Sequence, residues 1–274
     1  MTSTTTDAVF LAAAEGFVPT GHARGPWDPA ALHGGAPAAL ITAAFERLQP
    51  GAELQIARLG FELLRPIPFA PLTLSTRIVR PGRRVQELAC ELHSGDQLVC
   101  RASALRVQPV PEGLPELEPP ELDGGQPRDG RASMPGPDAG TPVIFALDGA
   151  SGESFAASAM EMRWLEDPRA LGPARVWMRL RHPLLEGEPP SPLARLAATA
   201  DFGNGVSAAL PFDRYVFINA DLMIHLLRPP RGEWIGLHAR TLLHGGGSGL
   251  AESVLHDVRG VVGRAFQTLV VEPR

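Results

Sequence analysis

The stretch Leu32-His33-Gly34-Gly35-Ala36-Pro37 leaves backbone N–H groups where a ligand can reach them. Gly34 and Gly35 carry no side chain to screen the main chain, and Pro37 suits the first turn of a helix, where its missing N–H costs nothing. His33, Gly34, Gly35 and Ala36 are therefore the candidate substrate-binding residues. Composition excludes several other chemistries. The chain contains no lysine, all 25 of its basic residues being arginine, which removes a phosphate-loop lysine, a Schiff-base lysine and a lysine general base. The eight histidines do not cluster at metal-ligand spacing, so neither a metal nor a cofactor is expected. Asp221 and His225 fall on one face of a strand under period-two alternation, with Asn219 and Met223. A structural hydrogen bond is the simpler expectation for His225.

The elements that must hold these residues follow from hydrophobic patterning. Ala36 to Leu48 is apolar on almost every side until its last turn, which marks a buried helix. Strands are expected over 54–64, 71–80, 84–93 and 97–108, the last two forming a hairpin at Ser94-Gly95-Asp96. Residues 8–18 read as a short helix, and 109–143 as a linker rich in Pro, Gly and Asp. Further strands are expected over 153–165, 174–181, 215–228, 233–243, 249–258 and 261–272. A helix capped by Ser191 covers 191–201, and the glycines of Asp201-Phe202-Gly203-Asn204-Gly205 separate it from a short helix over 206–210.

The two sets of strands are one pattern used twice. Leu63-Leu64-Arg65-Pro66 returns as Leu226-Leu227-Arg228-Pro229, and the same offset, 226 − 63 = 163, carries Arg77 onto Arg240, His93 onto His256 and Arg101-Ala102 onto Arg264-Ala265. The expected units are 1–110, a linker over 111–150, and 151–274. The repeat also explains His244-Gly245-Gly246-Gly247 as a hairpin turn, because Pro81-Gly82-Arg83-Arg84 stands at the same place and no Gly-x-Ser-x-Gly elbow occurs.

At 44% hydrophobic and 20% charged, the 274 residues have the composition of a soluble globular chain. The net charge of −5 points to neither nucleic acid nor an anionic membrane as partner. Two cysteines, Cys90 and Cys100, are too few for a disulfide framework, and no apolar run reaches membrane-spanning length. A cytoplasmic location is expected.

A buried helix wrapped by antiparallel strands, present twice, resembles the tandem (double) hotdog of the acyl-CoA thioesterase II family, an α+β fold. Ala200-Asp201-Phe202, Asp221 with His225, Arg228-Pro229, Glu233-Trp234 and Phe266-Gln267 carry the resemblance, with Phe61 and Leu64-Arg65-Pro66 in the first copy. It implies hydrolysis of acyl-CoA, with Asp201 and Gln267 as catalytic residues. The family's Thr or Ser position falls on Asn219, which donates and accepts hydrogen bonds but has no hydroxyl.

The repeat gives an independent reason to single out these three. Asn219 stands opposite Ile56 and Gln267 opposite Ala104, while matching Ala208-Ala209-Leu210 to Ala38-Ala39-Leu40 puts Asp201 opposite Ala31. Buried polar groups are costly unless paired, so a polar trio in one copy facing apolar residues in the other suggests function. Asp201 is then the base that activates water, held by Asn219 and Gln267, with its direct attack as the rival route. The oxyanion belongs at the start of the first helix, with the Gly35 and Ala36 amides as donors. Two other readings remain. One is hydration or dehydration of acyl thioesters, which would want a histidine beside Asp201; the other is a non-catalytic acyl-ligand binder. Homo-oligomerisation through the outer sheet faces stays open.

Overall fold

The computed structural model describes residues 7–26, 28–49, 53–110, 114–115, 134–144 and 153–274. Most of the expected linker lies outside them. The chain opens with β1 (Phe10–Ala13) and β2 (Gly16–Pro19), then α1 (Gly35–Arg47), β3 (Gln55–Leu63), β4 (Thr73–Arg80), β5 (Val85–Ser94) and β6 (Gln97–Val107). After the linker come β7 (Thr141–Val143), β8 (Met160–Trp164), β9 (Ala174–Leu180), α2 (Pro192–Ala200) and α3 (Gly203–Val206). The chain closes with β10 (Tyr215–Asn219), β11 (Asp221–Leu226), β12 (Ile235–Leu243), β13 (Ser248–Asp257) and β14 (Gly260–Pro273).

One antiparallel sheet runs β4-β5-β6-β3-β11-β14-β13-β12-β9-β8-β7, with β10 also paired to β14. The repeat is kept to the level of register. Leu88 pairs with Ala104 in the first half, and Ala251, which is 88 + 163, pairs with Gln267, which is 104 + 163. Both hairpins also slip register at matched steps, after Leu92 and after Leu255. The halves join through β3 and β11, where Gly60 pairs with Met223. Those two residues are themselves repeat mates, 223 − 60 = 163, so a local pseudo-twofold axis passes between them. A side chain at Gly60 would press on the Met223 methyl and sulfur.

Alternation decides which side chains enter the core. Along β5, Leu88, Cys90 and Leu92 are buried and their neighbours are not. α1 and α2 fill the inner face and run antiparallel, with Ala36, Ala38, Ala39, Leu40, Ile41 and Phe45 on the first and Ala194, Leu196, Ala197, Ala198 and Ala200 on the second all buried. Small residues at the contact let the helix backbones approach closely.

Five expectations need correction. Residues 8–18 form the β1–β2 hairpin instead of a helix. Gly16 turns the chain at φ +130°, and Phe17 exchanges both main-chain hydrogen bonds with Leu72, so edge pairing overrides the helix preference of the local alanines. Residues 153–165 begin with a π-helical turn, Phe155–Ala159, capped by Ser154, before β8 starts. The short helix after Asp201 spans 203–206; Ala208 O instead accepts from Gly172 N at 2.8 Å. The strand expected over 215–228 is broken at Ala220 into β10 and β11. Part of the expected linker is built into the second half, since β7 pairs with β8 and Pro135 O accepts from Trp177 Nε1 at 2.6 Å.

The repeated Leu-Leu-Arg-Pro turns out to serve the fold. Arg228 binds buried Asp257 through both terminal guanidinium nitrogens, at 2.6 and 2.7 Å. Its mate Arg65 is exposed, and Ser94 stands where Asp257 would be.

Candidate active site

The start of α1 meets the end of α2, and glycine makes that meeting possible. A Cβ on Gly35 would collide with the main-chain oxygen of Ala198, and one on Gly34 would lie 2.8 Å from Asp201 Oδ2. Gly34 is the N-cap of α1 and, having no side chain, leaves that end uncapped. α2 stops at Asp201, where Phe202 N turns back onto Thr199 O and α3 begins.

Asp201 is only 6% exposed. Its Oδ1 accepts from Asn219 Nδ2 at 3.1 Å and from Gln267 Nε2 at 3.3 Å. The Gln267 amide is oriented by two further bonds, donating to Asp201 O at 3.0 Å and accepting from Asn204 N at 2.9 Å. Gly203 allows that insertion, because a Cβ there would stand 2.8 Å from Gln267 Oε1. The second carboxylate oxygen, Oδ2, faces His33 Nδ1 at 3.1 Å. His33 stacks on Phe202 with ring centroids 4.2 Å apart and leans on Phe155.

Asn219 reaches this place through a bulge. Asn219 pairs with Leu269 but Met223 pairs with Phe266, so one extra residue, Ala220, is absorbed between them. Before the bulge the odd-numbered residues Phe217 and Asn219 are the more buried ones; after it the even-numbered Leu222 and Ile224 are. The shared face expected for Asn219, Asp221, Met223 and His225 is therefore wrong for Asn219. β3 slips register at Ala57, the repeat mate of Ala220, so Ile56 also points inward. Ile56 and Ala104 thus hold the matched places in the first half, as the sequence comparison expects.

The third match does not hold. Ala208 to Leu210 lie in no helix, whereas Ala38 to Leu40 are inside α1, so the similarity of those triplets is compositional and does not set Asp201 against Ala31. In the antiparallel helix pair, the residue at the opposite end is Glu46, whose Oε2 accepts from Ser191 Oγ at 2.6 Å.

Among the candidate residues, Asp201, Asn219, Gln267, His33 and Gly34 come together. Gly35 N donates to His33 Nδ1 at 3.0 Å and Ala36 N to His33 O at 3.1 Å, so the two amides expected to receive an oxyanion are already engaged. The N–H at this end with no acceptor among the described residues is that of Gly34. Asp221 accepts from Thr268 N at 2.7 Å, which stitches the strand break, and His225 is exposed on the outer face. Sequence reasoning missed the His33–Asp201 contact. The residues are 201 − 33 = 168 positions apart, and no motif links them.

From Asp201 and Gly34 a small cavity runs between α1 and the junction strands, lined by Pro37, Ala38, Phe61, Leu63, Cys100 and Leu222. Cys100 is inert there, since burial pushes its thiol up to about 12. Among the described residues no three His, Cys, Asp or Glu side chains gather as metal ligands, and no helix is long and apolar enough to cross a membrane. The arrangement is a buried carboxylate with one oxygen clamped by two amides, its other oxygen beside a histidine and an uncapped helix start, opening on an apolar slot.

Comparison with curated proteins gives no match. Solved structures show the same fold at low identity. An acyl-CoA thioesterase II, TesB2, from Mycobacterium marinum is 15% identical, with a TM-score of 0.61 over 89% of this chain and 90% of that one. A protein of unknown function with a hot dog fold from Alicyclobacillus acidocaldarius is 17% identical, with a TM-score of 0.67 over 98% of this chain and 97% of that one. Residues 23–107 match the family of acyl-CoA thioesterase N-terminal domains, and residues 128–271 match the family of acyl-CoA thioesterase C-terminal domains. With both halves matched and the repeat preserved strand for strand, the chain belongs to the acyl-CoA thioesterase family and folds as its double hotdog.

Proposed function

We propose that this protein hydrolyses acyl-CoA thioesters to the free acid and CoA, with Asp201 activating the attacking water. The observation that carries this reading is the two-amide clamp on Asp201 at the mouth of an apolar slot. Asn219 and Gln267 hold Oδ1, so the carboxylate keeps one orientation. The buried Asn219 Oδ1 has no partner among the described residues and is an acceptor for the second hydrogen of the same water. The acyl chain enters along Pro37, Ala38, Phe61 and Leu63, which part to admit it because the resting cavity holds little more than about one water, and its carbonyl oxygen faces the Gly34 amide, where the dipole of α1 favours the developing charge. Asparagine thus does by hydrogen bonding what the family's hydroxyl residue does. His33 and the glycines Gly34 and Gly35 form the substrate-side wall. The reaction needs no cofactor, and the cytoplasm, where acyl-CoA is made and used, is its place.

A second reading is favoured by one contact. Hydration of a 2-enoyl thioester wants a carboxylate and a histidine together near a helix start, and Asp201 and His33 are such a pair. A panel of saturated and 2-enoyl-CoAs separates the readings. Thiol release from saturated substrates supports hydrolysis. Loss of enoyl absorbance without thiol release supports hydration, and neither signal overturns both.

A further inference from the structure

The position of His33 poses a question about one proton. Its Nδ1 lies 3.0 Å from Gly35 N, which can only donate, and 3.1 Å from Asp201 Oδ2, which when ionised can only accept. A neutral imidazole nitrogen cannot satisfy both. If Nδ1 accepts from Gly35, its lone pair points at the carboxylate and the ring proton sits on Nε2. If Nδ1 carries the proton, it donates to Asp201 and the Gly35 bond is lost. The ring cannot escape by rotating away, because Phe202 stacks on it at 4.2 Å and Phe155 lies 5.1 Å off. His33 N is also tied to Ala23 O at 3.1 Å. A proton arriving on Asp201 Oδ2 removes the repulsion, because the carboxylic acid and the Gly35 amide then both offer Nδ1 a hydrogen.

We propose that His33 is the acid that protonates the departing sulfur, drawing on the proton that Asp201 takes from water. This deepens the hydrolytic reading and rests on Asp201 being the base. The balance is as follows. Asp201 Oδ2 takes one proton from water as the water oxygen bonds to the carbonyl carbon. The tetrahedral intermediate collapses, the C–S bond breaks and its electron pair goes to sulfur. The Nε2 proton passes to that sulfur, giving the thiol, while Nδ1 takes the proton from Oδ2. Asp201 is left ionised, and the second water hydrogen leaves on the product acid. His33 ends as the Nδ1–H tautomer, held by Asp201, and returns to the Nε2–H form by exchange with solvent before the next turnover. Nε2 has no partner among the described residues, which leaves it available for both steps.

The diagnostic is the leaving group. An alkyl thiolate such as that of CoA is a poorer leaving group than an aryl thiolate and gains more from protonation. His33→Gln is compared with the wild type on an acyl-CoA and on the S-phenyl thioester of the same acid, with far-UV circular dichroism confirming the fold. The expected result is a loss in kcat of about 100-fold on acyl-CoA, the lower range for one acid–base group, with KM little changed and the S-phenyl ester largely spared. Equal losses on both substrates, or none on either, overturn the proposal. Should His33→Gln not fold, the wild type alone decides. Over a series of thioesters of rising leaving-thiol pKa, a shallow dependence of kcat supports the relay and a steep one overturns it. Failure of the hydrolytic reading looks different: the wild type then releases thiol from no thioester, and Asp201→Asn changes nothing.

Discussion

At one end of the α1–α2 pair Asp201 lies against Gly34; at the other, Glu46 lies against Ser191. The pseudo-twofold axis makes these two places counterparts. Around Glu46, among the described residues, no buried side-chain polar atom is left without a partner. Ser191 caps α2 by accepting from Ala194 N at 2.9 Å and donates its own proton to Glu46. Arg106 bonds Phe45 O and reaches Gln86 Oε1 at 3.1 Å, and Gln86 in turn holds Gln49. Around Asp201 the helix start has no capping side chain, and the Gly34 amide and Asn219 Oδ1 have no partner among the described residues. An unsatisfied buried polar atom costs about 1–3 kcal/mol, so leaving such groups at one end while closing the other is the mark of a place meant for an outside molecule. The same frame therefore serves as a helix-to-helix staple on one side and holds the proposed reaction site on the other.

The sharpest way to break this comparison is to make the same chemical change at both ends. Asp201→Asn should lower kcat for acyl-CoA by about 10²–10⁴, with circular dichroism unchanged, while Glu46→Gln should leave turnover untouched. Comparable losses from the two would show that the ends do not differ in role. Next in size is Gly34→Ser, which copies the Ser191 cap into the open end. Its Cβ would stand 2.8 Å from Asp201 Oδ2, so a thermal melt should register a destabilisation of about 1–3 kcal/mol from overpacking, together with lost activity. Asn219→Ile installs the residue found at the matched place in the first half. Activity should fall about tenfold and stability by about 1 kcal/mol, because the bond to Asp201 Oδ1 is lost while an amide oxygen with no partner among the described residues is removed with it. A stability loss with activity kept would assign Asn219 to the fold.

The smallest effect concerns pH. Burial pushes the Glu46 carboxyl above its ordinary 4.5, and the bond from Ser191 and the charges of Arg47 and Arg106 only partly oppose it. A carboxyl raised on folding binds its proton more tightly in the folded state, so its contribution to stability is full below about pH 4.5 and is lost as pH climbs through the folded value. Glu46→Gln should flatten that part of the Tm profile between pH 4 and 7. An unchanged profile would mean that Glu46 is already well solvated.

The readable part of the site was the part tied to the repeat. Asn219 against Ile56 and Gln267 against Ala104 follow from a single offset, because strands keep count residue by residue. Asp201 sits where that count fails. The helices lie outside the strand repeat and their flanks differ in length, so a chance likeness of alanines and leucine pointed to Ala31 when geometry points to Glu46. The period-two reading of 219–225 failed at one inserted residue, since a bulge reverses every side chain beyond it. The hairpin over 10–19 was lost to a preference that edge pairing with Leu72 overrules.

The amino-acid order alone established the duplication, the two buried helices and the absence of any lysine chemistry, because each is a property of neighbours along the chain. That His33 meets Asp201, that Asn219 turns inward and that the Gly35 and Ala36 amides are spent were decided only by folding. Those facts depend on how closely two helices approach and on where one strand absorbs an extra residue, and both arise from packing between segments far apart in sequence.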